Sequence, residues 1–171
     1  MHAWTTLSAP VARGKAGTIF EVTAATYGDK IFIKKLFTPQ KSMKKFVREV
    51  DYHRRAAELC IAPPLLDFHV GDKKHGPFIV MERRATTLLK LIKKQRGLFA
   101  HQLGQIKLLY EKLDTLNIQH NDANLANVMV HYTSTTSTPI FNLIDYGMAT
   151  TGKGNIASFR LLKTRIQREI K

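Results

Sequence analysis

The sequence is poor in cysteine, in acidic residues and in long apolar runs. Cys60 is alone among 171 residues, which excludes an internal disulfide and leaves its thiol, inside the apolar stretch 59–64, to be read as a small core residue. No stretch approaches the roughly 18 consecutive apolar residues of a membrane span. The opening Met-His-Ala-Trp-Thr-Thr-Leu has no cationic region followed by an apolar one. These absences predict an intracellular protein, cytoplasmic or nuclear, without a membrane span. No repeat occurs at any period.

The scarcity of acid is the strongest compositional signal: 13 Asp and Glu stand against 27 Lys and Arg, a net charge of +14. A surface of that sign attracts polyanions, among them nucleotides, nucleic acid, anionic membranes and acidic proteins, and it also serves plain solubility. With 44% hydrophobic residues the chain has enough to bury a core, and its length suits one domain or two small lobes.

Residues 18–26 and 30–36 are β-branched and aromatic with partial alternation, and Tyr27-Gly28-Asp29 between them predicts a hairpin. From Ser42 to Leu59, Met43, Phe46, Val47, Val50, Ala57 and Leu59 keep mostly helical spacing until Pro63-Pro64 ends it. Two more strands, 65–70 and 77–82, flank a polar turn at 71–76. Beyond Arg83 the pattern becomes helical, with a short basic helix over 86–95 and a longer one over 101–116 that aligns Leu103, Ile106, Leu109, Tyr110 and Leu113. Residues 128–131 and 140–144, joined by a Ser/Thr-rich turn and Pro139, predict a second hairpin. Phe159, Leu162, Ile166 and Ile170, set among Arg160, Lys163, Arg165, Arg168 and Lys171, predict a final amphipathic basic helix.

The chemistry concentrates in His120-Asn121-Asp122-Ala123-Asn124-Leu125-Ala126-Asn127 and, after a hairpin, in Asp145-Tyr146-Gly147. Phosphoryl transfer needs a carboxylate beside the attacking hydroxyl and oxygen ligands that hold magnesium against the phosphates. A loop ending at Asn127, with one strand leaving and its partner returning to Asp145, would bring the amide and the second carboxylate together.

His-x-Asp-x-x-x-x-Asn followed by Asp-Tyr-Gly resembles the catalytic loop and metal motif of protein kinases. The resemblance implies that Asp122 orients or deprotonates the acceptor hydroxyl, that Asn127 and Asp145 bind Mg2+, and that His120 braces the loop. Ile31-Phe32-Ile33-Lys34 resembles the strand whose lysine meets the α- and β-phosphates of ATP, and Glu49 resembles the helical glutamate paired with that lysine. Lys34 is the preferred lysine and Lys35 the alternative, because a one-residue shift of register exchanges the faces of a strand. Gly14, Lys15 and Gly17 lie where a glycine-rich loop would cover phosphates. Residues 78–84 resemble the hinge whose backbone near Glu82 and Arg84 would bind adenine.

The resemblance therefore implies an α+β, bilobal protein-kinase-like fold, with a β-rich N-terminal lobe over 1–82 and a truncated helical C-terminal lobe over 83–171. Asn121 replaces the usual arginine, Asn124 replaces the catalytic-loop lysine, and 24 residues follow Gly147 with no Ala-Pro-Glu motif. That economy is similar to the minimal atypical kinases: the kinase subunit of the KEOPS complex, the RIO kinases and the small kinases of large DNA viruses, the last being host-cell located. The expected activity is Mg-ATP-dependent transfer to Ser or Thr of a protein substrate, with an activating protein partner compatible with such a small enzyme. The alternatives are a non-catalytic or ATPase kinase-fold module that binds nucleic acid or a protein, and a small-molecule kinase, which the short C-terminal region disfavours.

Overall fold

The computed structural model describes residues 3–14, 17–38, 42–72, 76–133 and 138–170. Its class is α+β, with mostly antiparallel sheet and, among the described residues, four α-helices. Strands β1 (Thr5–Thr6), β2 (Ala12–Gly14), β3 (Gly17–Thr23) and β4 (Phe32–Phe37) precede helix α1 (Met43–Glu58), and β5 (Leu65–His69) and β6 (Phe78–Glu82) follow it. These six strands form one sheet in the order β1-β3-β4-β6-β5, with β2 pairing β3. The predicted hairpin is β3–β4, although its connection is wider than a tight turn because residues Ala25–Tyr27 wind into a single 3-10 turn.

Helix α1 starts where the Ser42 side chain accepts the Lys45 backbone N–H, satisfying a donor that the first helical turn cannot bond internally. It ends before Pro63-Pro64, as Cys60 takes a left-handed backbone with φ 58°. Cys60 is exposed, not a core residue as its neighbours predicted. The turn that stops the helix aims its side chain at solvent, while the adjacent Ile61 and Ala62 go inward.

After β7 (Thr86–Thr87) come α2 (Leu88–Gln95), α3 (Ala100–Thr115) and β8 (Ile118–Gln119), then the hairpin of β9 (Val128–Tyr132) and β10 (Pro139–Leu143), then β11 (Thr150–Thr151) and α4 (Asn155–Ile170). Helix α4 begins four residues before Phe159. Asp114, near the end of α3, receives the backbone N–H groups of Gly154 and Asn155 on Oδ1, at 3.0 and 3.2 Å, and so caps a helix start from across the fold.

Apolar packing forms three clusters. Val22, Phe32, Phe78 and Val80 lie on one face of the large sheet with Trp4 and Tyr27 against them. Phe37, Phe46, Val50, Ile79 and Met81 fill the other face, beneath α1. The largest cluster joins α2, α3, α4 and the β9–β10 hairpin, and Tyr52 and Ala56 of α1 enter it. Helix α1 thus touches both the sheet and the helical half, and places residues between them. No helix among the described residues is long and apolar enough to cross a membrane.

Candidate active site

Strand β4 is covered on both faces, so its side chains carry no simple inside–outside alternation. Its odd residues Ile33, Lys35 and Phe37 face α1, whereas Phe32 and Leu36 join the opposite cluster. This parity corrects the preferred lysine. Lys35, and not Lys34, turns toward Glu49: Nζ donates to Glu49 Oε1 at 3.0 Å and to Asp145 Oδ1 at 2.7 Å. Lys34 is on the other face, its Nζ 4.0 Å from the centre of the Phe78 ring. Lys35 and Glu49 are buried, while the Asp145 side chain stays 33% exposed. Burial opposes the charge on Lys35, but Glu49 and Asp145 outweigh it and hold the ammonium above its ordinary pKa.

Asp145 takes a left-handed backbone, φ 64°, directly after β10. The turn points its carboxylate back at Lys35 and is followed by Gly147, where a Cβ would lie 3.1 Å from Glu49 Oε2 and 3.3 Å from Asp145 Oδ1. A larger residue would crowd both carboxylates, so the glycine of the Asp-Tyr-Gly motif serves close approach.

The other half of the site is the segment between β8 and β9. Asn127 Nδ2 donates to Asp122 Oδ2 at 2.8 Å, and the Asn127 backbone carbonyl accepts Ile144 N–H at 2.9 Å. Asn127, Asp122 and the residue before Asp145 are therefore linked in one hydrogen-bonded chain. His120 is buried and donates from Nε2 to Ile144 O at 3.0 Å. Desolvation lowers its pKa, so it stands there as a neutral imidazole, a brace and not a cation. Asn121 also takes a left-handed backbone, φ 62°, and its Nδ2 bonds Met148 O at 3.3 Å and Thr150 Oγ1 at 2.9 Å. Asn121 thus ties the Asp122 loop to the chain following Gly147.

Sequence reasoning missed a buried support. Asn155 Oδ1 accepts the His120 backbone N–H at 3.0 Å, and its Nδ2 donates to Asp114 Oδ1 and to Ile118 O, both at 2.7 Å. A glycine-flanked loop before an amphipathic helix marks the position of Asn155, but nothing local reveals its partners. Arg165, nearly three turns farther along α4, donates from Nη1 to Ala123 O at 2.9 Å.

The remaining sequence candidates fall apart from this centre. Gly14 and Gly17 pair across the end of the β2–β3 hairpin, and Lys15 lies outside the described residues. Gly17 has a packing reason of its own: with φ 151°, a Cβ would sit 2.2 Å from Leu36 O on β4. Glu82 and Arg84 pair with each other at 2.9 Å, and Arg84 Nε donates to Asn142 Oδ1 at 2.7 Å. An open cleft of about 430 Å³ is lined by Asp29, Ile31, Arg83, Arg84 and Ala85. None of Lys35, Glu49, Asp122 and Asp145 lines it.

The donor set suits a hard cation. Asp145 offers carboxylate oxygens, and Asn127, whose Nδ2 is engaged, keeps its side-chain carbonyl as an oxygen donor. No cluster of three or more His, Cys, Asp or Glu that could hold a metal ion occurs among the described residues. Magnesium commonly takes only one or two protein carboxylates together with waters and substrate phosphates, so two oxygen ligands fit it better than they would fit zinc or calcium. No protein-family model matches the chain, and no curated protein matches it.

Proposed function

We propose that the protein is a minimal bilobal kinase-like phosphotransferase that moves the γ-phosphoryl group of ATP to a serine or threonine hydroxyl of a protein. The observation that carries this reading is the single Lys35 ammonium bridging Glu49 on α1 and Asp145 after β10, residues 14 and 110 positions away in the chain. A lysine held so is charged, fixed and adjacent to a half-buried carboxylate, as anchoring of nucleotide phosphates requires. Residues 1–82 supply the lysine and its partner, and residues 83–171 supply the acid and amide groups.

In this reading Asp122 receives the acceptor's hydroxyl proton as the new O–P bond forms, and the bond from the γ-phosphorus to the ADP oxygen breaks. Asn127 holds the Asp122 carboxylate in place through its 2.8 Å bond, so the base does not rotate away. Lys35 orients phosphate oxygens, and Glu49 keeps Lys35 from swinging into solvent. Asn127 and Asp145 would hold magnesium, which supplies neutralisation of phosphate charge when bound. Because Asn124 stands where a second cation is usual, turnover is expected to be slow.

The test is label transfer from γ-labelled ATP with magnesium to acidic and basic protein acceptors, beside Asp122→Ala and Asp145→Ala. Loss of transfer in both variants supports the reading; equal transfer by wild type and Asp122→Ala refutes it. The net charge of +14 favours a second reading, a kinase-fold module that binds nucleic acid. It requires affinity that falls steeply with added salt.

A further inference from the structure

Asp122 has no cation within 4.0 Å among the described residues. The segment carrying it is nevertheless touched by one: Arg165 reaches from α4 to the carbonyl of Ala123, the next residue. Both charges also act, with opposite sign, on the buried Tyr110 hydroxyl, which places them in one neighbourhood. Arg165 is exposed, and among the described residues its side chain makes one hydrogen bond, from Nη1 to Ala123 O, and pairs with no carboxylate. A guanidinium presents five N–H donors in a rigid fork, so most of them stay available after one bond to a carbonyl.

The composition of the C-terminal segment has the same sign. After Asp145 the chain carries Lys153, Arg160, Lys163, Arg165, Arg168 and Lys171 against a single acid, Glu169, and Glu169 is engaged by Lys93 at 3.7 Å. A basic acceptor segment lying over Asp122 would meet repulsion there. An acidic one would gain a charge-assisted, fork-shaped contact beside the hydroxyl to be modified.

We infer that Arg165 determines acceptor specificity, selecting a protein segment that bears a carboxylate or phosphate group close to the target hydroxyl. The inference rests on the phosphotransfer reading for its reaction, but its binding test does not need turnover. Arg165 holds the Ala123 carbonyl with one nitrogen and the acceptor's anion with the rest of the fork. The same contact would therefore position the base and the substrate together.

The experiment uses the full chain and three fluorescent serine peptides of equal length, flanked by Asp and Glu, by phosphoserine, or by Lys and Arg. Binding is followed by anisotropy at physiological ionic strength, and label transfer from ATP is measured in parallel. Arg165→Glu is compared with Lys163→Glu, which removes the same charge about 200° around the helix at 3.6 residues per turn. Arg165→Gln removes the charge but can still donate to Ala123 O, so it keeps the test alive if Arg165→Glu does not fold.

The wild type is expected to bind the acidic peptides about tenfold tighter than the basic one, the size of one good charge-assisted contact. Arg165→Glu and Arg165→Gln should lose most of that preference, and Lys163→Glu should keep it. The ratio of the carboxylate to the phosphoserine arm tells which anion is preferred. Equal losses in Arg165→Glu and Lys163→Glu would show general surface charge and overturn the inference. So would a single-stranded RNA that outcompetes the acidic peptides and depends on Arg165 more than they do. Binding preference without any transfer in the wild type would leave Arg165 as an anion-reading residue and remove the kinase reading. Transfer whose acceptor preference ignores Arg165 would do the reverse.

Discussion

The buried side-chain oxygen of Asn155, at the first turn of α4, accepts the backbone N–H of His120 at 3.0 Å. Through this bond the C-terminal helix fixes the start of the loop that carries Asp122, and the same amide secures Asp114 and the Ile118 carbonyl. Asn155→Ala would leave the His120 N–H, the Ile118 carbonyl and part of the Asp114 carboxylate without partners. A loss of about 3 kcal/mol is expected from such a buried network. Urea unfolding measures it, and a loss below about 1 kcal/mol would show that water replaces the amide.

The choice between the two adjacent lysines is testable by stability and by label transfer. Lys35→Met leaves Glu49 buried without its cation and should cost about 3 kcal/mol, whereas Lys34→Met removes a cation–π contact worth under about 1 kcal/mol. Label transfer should vanish in Lys35→Met and persist in Lys34→Met. Equal destabilisation by the two would contradict the inward orientation of Lys35.

Gly14 and Gly17 separate packing from phosphate contact. At Gly17 a Cβ would meet the Leu36 carbonyl at 2.2 Å on a backbone of φ 151°, while at Gly14 nothing lies within 4 Å. Gly17→Ala should destabilise by about 3 kcal/mol, and Gly14→Ala should change stability by less than about 0.5 kcal/mol. Thermal denaturation without nucleotide is the measurement. A stable Gly17→Ala protein with weakened ATP binding would instead return that glycine to a phosphate role.

Stability should decline on mild acidification. His53 and His120 are buried, each donates Nε2–H to a backbone carbonyl, and desolvation lowers both pKa values from 6.5. The unfolded chain therefore binds protons that the folded one refuses. Stability is flat above pH about 6.5 and falls below it until the folded-state pKa values are reached. The melting temperature should drop between pH 7 and 5, and His53→Gln should flatten that slope. An unchanged slope would assign the acid sensitivity to other groups.

Much of this architecture is legible in the residues themselves. The spacing of Phe46, Val50 and Ala57 announced α1, and the β9–β10 hairpin followed from turn chemistry around Pro139. The order His120, Asp122, Asn127, Asp145 pointed to one site because a hairpin must return its second strand to its first. Strand parity was not legible: β4 is sandwiched between two apolar clusters, so no polar face distinguishes Lys34 from Lys35. The exposure of Cys60 escaped for a related reason, since an apolar stretch does not say which residue will take the left-handed turn.

The sequence by itself determined the periodicities and the linear order of the acid, amide and histidine groups, because these depend on near neighbours. Only the tertiary structure decided that Lys35 bridges Glu49 and Asp145, that Asn155 supports His120, and that Arg165 lies beside the Asp122 loop. Those contacts join residues 14 to 110 positions apart. Their partners are selected by how helices and sheet pack, which no local pattern encodes.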